Sequence, residues 1–130
     1  MLLAIAAALL GTTQAHPRPK APADDIVVLG RRLDDWRGVL VFADDVPTCR
    51  IRQSSGDAGV DAVGCSSLVS CFSQARPRYL SATDASKRAR RRAWAATGRD
   101  LSACLSATRD AAIIELAERR WRAREATETP

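Results

Sequence analysis

The sequence predicts an α+β fold, in which a small antiparallel sheet of two or three strands packs on a helix and a helical C-terminal extension follows. Three observations predict this fold. Alternating or β-branched runs end near residue 53, helical apolar spacing begins near residue 58, and four cysteines are spread over both parts. A chain of 130 residues is long enough for one domain, which we place at residues 25–126.

Residues 1–15 predict a secretory signal peptide. An unbroken apolar run over residues 2–10 precedes a short polar stretch that ends at Ala15, which is the arrangement of an apolar region and a small-residue cleavage site. The run is shorter than the about 20 apolar residues that span a bilayer, and a buried N-terminal helix is the alternative. We therefore expect a periplasmic or secreted protein with no transmembrane span after cleavage.

Prolines dominate the segment that follows the predicted cleavage site. Pro17, Pro19 and Pro22 lie within residues 16–24. Because proline cannot donate to a strand ladder, this spacing predicts an extended, solvated linker. At the other end of the chain, the polar residues 127–130 predict a frayed tail.

Three short runs are candidate strands, since each is rich in β-branched or alternating apolar residues. They are residues 26–29, 36–42 (WRGVLVF) and 48–53. Residues 43–47 are the predicted turn between the last two runs. In the third run Cys49 and Ile51 would share a covered face, while Arg50 and Arg52 would point to solvent.

The motif Ser-Ser-Gly-Asp at residues 54–57 ends the third run, and its residue types suit a turn followed by a helix N-cap. Apolar side chains then recur on one helical stripe, which predicts a helix over about residues 58–73. Pro77 should prevent the continuation of that helix. Residues 78–80 would then be a brief strand or a link.

A second helix is predicted over residues 85–97. Thr83 or Asp84 would cap this helix and Gly98 would end it. Apolar spacing resumes beyond Gly98 and predicts further helix in the C-terminal part of the chain.

The four cysteines predict two disulfides, because an even number of cysteines in a small exported chain is typical of a disulfide framework. Cys65 and Cys71 lie six residues apart in one predicted helix, where their Cα atoms are separated by more than the about 7 Å that a disulfide allows. The preferred pairing is Cys49–Cys65 with Cys71–Cys104, since the turn brings the helix back alongside the strand. Cys49–Cys71 with Cys65–Cys104 is the alternative.

Positive charge is concentrated in the second half of the chain. Residues 16–75 carry seven basic and eight acidic side chains, a net charge of −1, and residues 76–130 carry thirteen basic and seven acidic ones, a net charge of +6. Five of these cations form a predicted patch for an anionic partner: Lys87, Arg88, Arg90, Arg91 and Arg92.

Like charges at i and i+4 repel one another on a helix, so an anionic partner would stabilise this patch. Anionic lipid, lipopolysaccharide or an acidic protein surface suits an exported chain better than nucleic acid does. A solvated face without any partner is the alternative interpretation.

The residue types of an enzyme are poorly represented. His16 is the only histidine and lies in the predicted linker, which excludes histidine-based catalysis and histidine-based metal sites. The acid pairs at residues 24–25, 34–35 and 44–45 are predicted to lie in turns and lack EF-hand spacing, and no Cys-x-x-Cys is present. We expect a non-enzymatic protein without catalytic residues, cofactor or metal.

One stretch resembles a known family. Residues 49–56 (CRIRQSSG), followed by Asp61-Ala62 and Cys65, are similar to the C-terminal domain of TonB-type energy transducers. In one branch of that family, a strand ending in Ser-Ser-Gly leads into a helix that begins near Leu-Asp-Ala, with a cysteine in each element. The preceding WRGVLVF resembles the family's preceding strand and residues 72–78 the start of its last strand, so the resemblance covers about residues 36–78.

The resemblance implies a shared βα core and contact with another protein through an exposed strand edge. The chain departs from the family because its linker is short and helices stand in place of the last strand. Separately, residues 25–30 resemble the beginning of mature TonB-dependent receptors. We therefore expect a protein-interaction module of the cell envelope, with a cationic binder of anionic envelope surfaces as the alternative.

Overall fold

The computed structural model describes residues 21–130, so the predicted signal peptide and linker residues 16–20 lie outside the described part. Five elements follow in chain order: α1 (Ala23–Asp35), β1 (Arg37–Ala43), β2 (Val46–Gln53), α2 (Ala58–Ser81) and α3 (Lys87–Glu128). Within this part of the chain, β1 and β2 form one two-stranded antiparallel sheet, and α2 packs against both the sheet and α3. The predicted α+β fold with a C-terminal helix and two disulfides is confirmed.

A two-residue turn joins β1 to β2. Asp44 and Asp45 have φ angles of 50° and 63°, the left-handed conformation that a tight hairpin turn requires and that Asp tolerates better than most residues. Ala43 pairs with Val46 on either side of this turn. The second and third predicted strands are therefore confirmed, and the turn between them is shorter than predicted.

The prediction of a strand at residues 26–29 is wrong, because these residues belong to α1. Ile26, Leu29 and Leu33 are spaced by three and four residues, so a helix places all three on one side. That side packs into the hydrophobic core together with residues 113–117 of α3. The helix begins at Ala23, within the last residues of the predicted linker.

α2 continues through Pro77 to Ser81, so the predictions that Pro77 ends this helix and that residues 78–80 form a strand or a link are wrong. Proline removes one helical hydrogen bond, but side chains on both sides of it hold the helix in place. Phe72 meets Phe42 of β1 with the ring centroids 5.7 Å apart, Tyr79 meets Trp94 of α3 with the ring centroids 6.2 Å apart, and Ala75 is buried. Tertiary packing therefore outweighs the lost hydrogen bond.

α3 is a single helix of 42 residues. Its N-cap is Ser86, whose side chain accepts a backbone hydrogen bond of 3.3 Å, instead of the predicted Thr83 or Asp84. Gly98 lies inside α3 and does not end it. The helix also extends to Glu128, into the tail that was predicted to fray.

The two disulfides join the sheet to α2 and α2 to α3. Cys49 is bonded to Cys65 and Cys71 to Cys104, with Cα–Cα distances of 5.4 and 5.9 Å. The preferred of the two predicted pairings is thus confirmed. In the chain-entropy model each bond stabilises the fold by roughly 3 to 4 kcal/mol, which is a large share of the stability of a small domain.

Trp36, between α1 and β1, connects the sheet to the helices. Its side chain is only 4 % exposed. A Cβ atom at Gly38 of β1 would stand 2.3 Å from the Trp36 ring, and one at Gly64 of α2 would stand 2.6 Å from it. The Arg109 guanidinium of α3 lies 5.4 Å from the ring centroid. Three elements, β1, α2 and α3, therefore meet at this indole, and glycine is required at two of the contacts.

Candidate interaction surfaces

The outer edge of β1 is the first candidate surface. Within residues 21–130, β1 pairs with β2 alone. Ala43 and Val46 flank the two-residue turn and form a hydrogen-bonded pair. Hydrogen-bonded and non-hydrogen-bonded pairs alternate along an antiparallel ladder, so the backbone N–H groups of Leu40 and Phe42 point away from β2. These groups are available to an incoming strand, as in β-augmentation.

The outer edge of β2 is less suitable for strand addition. Pro47 stands opposite Phe42, so the same alternation places a residue without an N–H group on the outer side of β2. Near the other end, Gly38 pairs with Ile51 and Arg37 pairs with Gln53, so Arg52 has no partner and the ladder is irregular there. Proline and bulges are devices that protect edges from pairing, so among residues 21–130 the outer edge of β1 is the one that remains open.

Exposed apolar side chains accompany the sheet. Phe42 is 53 % exposed, although its ring meets the Phe72 ring edge-on with the centroids 5.7 Å apart. Ile51 is 43 % exposed, so the prediction that it shares a covered face with Cys49 is wrong for Ile51. α2 covers the sheet only in part, and large exposed apolar side chains beside an open edge are typical of an interaction surface.

The first two turns of α3 are the second candidate surface, and they contain the five cations that the sequence singled out. Lys87, Arg88, Arg91 and Arg92 are exposed and Arg90 is half-buried. Within residues 21–130 none of the five forms an ion pair. The structure therefore brings these cations together on one short helical segment, and we call this segment the cationic start of α3.

Four aromatic rings run from β1 across α2 to α3. Consecutive ring centroids are separated by 5.7, 6.3 and 6.2 Å in the order Phe42, Phe72, Tyr79 and Trp94. Trp94 is 43 % exposed, and the Arg90 guanidinium lies 5.6 Å from the centroid of its ring. The aromatic row thus links the open sheet edge to the cationic start of α3.

The Ser-Ser-Gly-Asp motif forms the predicted helix cap. The Asp57 carboxylate accepts hydrogen bonds from the amides of Gly59 and Val60 at 2.9 and 3.1 Å. It also accepts two hydrogen bonds from the Arg120 guanidinium, each of 2.7 Å. The Arg120 hydrogen bonds, with help from the two amides, hold the pKa of Asp57 far below its usual range.

Asp61 completes the polar cluster at the start of α2. Its carboxylate accepts hydrogen bonds from the Ser54 hydroxyl at 2.6 Å and from the Ser55 hydroxyl and amide, both at 2.7 Å. These hydrogen bonds lower the pKa of Asp61. A structural cap therefore accounts for the most conspicuous polar motif of the sequence.

The acid pairs are more dispersed than a metal site requires. Residues 24–25 and 34–35 lie in α1 and not in turns as predicted, and only Asp44 and Asp45 form a turn. In the described part of the chain, no group of three or more His, Cys, Asp or Glu side chains is placed to hold a metal ion. Among residues 21–130, no helix combines the length and the apolar character needed to cross a membrane.

The sequence did not indicate Trp36, Arg109 and Arg120 as important residues. Arg120 lies 63 positions after its partner Asp57. Arg109 belongs to α3 and lies over the ring of Trp36, which is far away in the sequence. A local pattern contains no signal for contacts of this range.

Comparison with protein-family models, curated proteins and solved structures finds no match to this chain. The functional argument therefore depends on the geometry of the two surfaces described above.

Proposed function

We propose that this protein is a non-enzymatic, exported protein-interaction module of the cell envelope, which binds a partner by strand addition to β1. The observation that carries the proposal is the unpaired β1 edge, with the outward N–H groups of Leu40 and Phe42 and exposed apolar side chains beside it. Backbone hydrogen bonds would supply affinity and side-chain contacts would supply specificity. The resemblance of residues 36–78 to TonB C-terminal domains supports the same mode of binding.

Two disulfides in so small a domain are compatible with an oxidising compartment. A periplasmic or secreted location agrees with the predicted signal peptide. In such a location, the Cys49–Cys65 bond would hold the sheet on α2 and so keep the β1 edge in one orientation.

The test compares Phe42→Pro with Phe42→Ala. Both substitutions remove the ring that contacts Phe72, but only proline also removes the outward N–H group. The β1–β2 ladder keeps its own hydrogen bonds in both variants. We expect cross-linking to an envelope protein at physiological salt to persist in Phe42→Ala and to be lost in Phe42→Pro.

Amide hydrogen exchange gives the second measurement of this test. Binding by strand addition should slow the exchange of the Leu40 and Phe42 amides in the wild-type chain. Pro47 on the outer edge of β2 has no N–H group and gives no signal in this measurement. Equal cross-linking of the two variants, or unchanged exchange at Leu40 in the bound state, would contradict the proposal.

A second candidate function is binding to an anionic envelope surface, and the cationic start of α3 favours it. Its cations lack ion-pair partners among residues 21–130, and the exposed Trp94 lies beside Arg90. Tryptophan next to Lys and Arg suits the boundary between lipid headgroups and acyl chains.

Vesicle binding tests this candidate. We expect the chain to sediment with vesicles that contain anionic lipid and not with zwitterionic vesicles, and to dissociate between low and physiological salt because exposed charges are screened. The triple variant Arg88→Ser, Arg91→Ser and Arg92→Ser should lose binding. The control variant, Arg31→Ser with Arg50→Ser and Arg52→Ser, removes three positive charges elsewhere in the chain. Equal loss of vesicle binding in the two triple variants would contradict a role for the cationic start of α3.

A further inference from the structure

A cleft of about 790 Å³ lies between α1 and α3 and reaches Arg37 at the start of β1. Its volume falls within the range of small-molecule sites, about 300 to 1,000 Å³. Apolar side chains from both helices form part of its wall: Ile26, Leu33, Leu105 and Ile113. The cleft therefore offers apolar contact on two opposite sides.

The cleft contains a cation that forms no ion pair within residues 21–130. Arg109 lines it, and its guanidinium lies over the Trp36 ring. Its Nε atom is buried and has no hydrogen-bond partner in the described part of the chain. None of the ion pairs within residues 21–130 includes Arg109. Burial lowers the pKa of this guanidinium.

The neighbouring Arg37 behaves differently, although it lines the same cleft. Its guanidinium donates hydrogen bonds to the backbone carbonyls of Asp34 and Trp36 at the end of α1. Arg37 is therefore engaged by the protein itself, and Arg109 is the cation that remains available to a ligand.

The indole N–H of Trp36 is a second unpartnered donor at this place. Trp36 lines the cleft and is 4 % exposed, and its Nε1 atom is buried without an acceptor among residues 21–130. A buried donor without a partner costs about 1 to 3 kcal/mol. Arg109 Nε and Trp36 Nε1 are thus two unsatisfied donors on side chains that contact one another and line the cleft.

Gly30 of α1 supplies an independent observation. It lines the cleft, and a Cβ atom added there would meet nothing within 4 Å. Glycine inside a helix is about 1 kcal/mol less favourable than alanine, and close packing does not require it here, in contrast to Gly38 and Gly64. The glycine leaves space in the part of the lining that α1 contributes.

We propose that this cleft binds an amphipathic carboxylate, a molecule with one carboxylate group and an apolar chain, and that Arg109 holds the carboxylate. A guanidinium recognises a carboxylate through strong charge-assisted hydrogen bonds, and the apolar walls would cover the chain. Asp34 and Asp110 also line the cleft and are exposed. With Arg37 and Arg109 they make the lining neutral, which disfavours multiply charged anions.

Titration calorimetry of the full oxidised chain with dodecanoate, below its micelle concentration, tests the proposal. We expect saturable one-to-one binding of dodecanoate, no binding of acetate because it lacks the chain, and no binding of dodecyltrimethylammonium because it carries the opposite charge. Equal binding of dodecanoate and dodecyltrimethylammonium, or no binding of dodecanoate, would overturn it.

Two variants locate the binding in the cleft. Arg109→Leu should weaken dodecanoate binding by about ten- to a hundredfold, whereas Arg99→Leu, an exposed arginine of the same helix outside the cleft, should bind like the wild type. Gly30→Leu should narrow the cleft and weaken dodecanoate binding while α1 stays folded. If Arg109→Leu does not fold, Gly30→Leu decides alone, and unchanged affinity in that variant would overturn the proposal.

Discussion

Both long helices begin with a side-chain cap, Asp57 for α2 and Ser86 for α3, but the charges beside the two caps differ in sign. The first turn of α2 contains Asp61, and a helix N-terminus favours negative charge. The first turn of α3 has no acid and begins with Lys87 and Arg88, so like charges meet the positive end of the helix dipole.

The polar groups of the two helix starts also differ in their partners. At α2 the carboxylates of Asp57 and Asp61 accept hydrogen bonds from Arg120, Ser54 and Ser55. At α3 the cations have no ion-pair partner among residues 21–130. The polar groups at the start of α2 stabilise the helix. The cations at the start of α3 repel one another, and an anionic partner outside the described chain would reduce this repulsion.

Removal of the disulfide beside the α2 start should have the largest effect. The double variant Cys49→Ser and Cys65→Ser opens a link between residues 16 positions apart, and we expect the free energy of unfolding to fall by about 3 kcal/mol. Urea unfolding followed by circular dichroism measures this loss. The cationic start of α3 should still bind anionic vesicles under folding conditions, and loss of both properties together would contradict the independence of the two regions.

Asp57→Ala should destabilise the protein by about 2 kcal/mol, because it removes the cap and leaves Arg120 without its carboxylate partner. The matched control is Asp100→Ala, which breaks the exposed Arg78–Asp100 pair of 2.5 Å. An exposed pair contributes at most about 1 kcal/mol, so the control should change the urea midpoint much less. Similar losses in the two variants would show that Asp57 is an ordinary surface acid.

Acid should weaken the α2 start specifically. The pKa of Asp57 is lowered in the folded protein, whereas its unfolded value is about 3.9. The stabilisation is therefore complete above the unfolded pKa and is lost progressively as the pH falls from about 5 towards the lowered folded value. Urea unfolding at a series of pH values measures it, and Asp57→Asn, which cannot ionise, should show a shallower loss between about pH 5 and pH 2.

Charge reversal at the α3 start should have the smallest effect and the opposite sign. Lys87→Glu with Arg88→Glu places acids in the first turn of α3, and we expect a gain of about 0.5 to 1 kcal/mol at low salt. The gain should shrink in high salt because the charges are exposed. If urea unfolding instead shows a loss, the cations contribute to folding and the contrast between the two helix starts is mistaken.

The sequence predicted the parts of the site that depend on neighbours in the chain. Two strand-like runs with a short turn segment at residues 43–47 between them predicted the hairpin. The Cys65–Cys71 spacing excluded a bond within one helix and left two pairings, of which the preferred one is confirmed. The five cations were found for the same reason, since they are consecutive or nearly so. The resemblance suggested an exposed strand edge without indicating which edge is open, and the cleft beside Arg109 could not be found. Both the open edge of β1 and the cleft are defined by what does not pack against them.

By itself, the sequence determined the hairpin, the cap at Asp57, the disulfide framework and the location of the positive charge. All of these depend on short-range geometry or on composition. Only the tertiary structure decided that residues 26–29 are helical and that Pro77 and Gly98 lie inside helices. The physical reason is that local preferences of about 1 to 3 kcal/mol are outweighed when a helix buries one apolar side against α3 or α2.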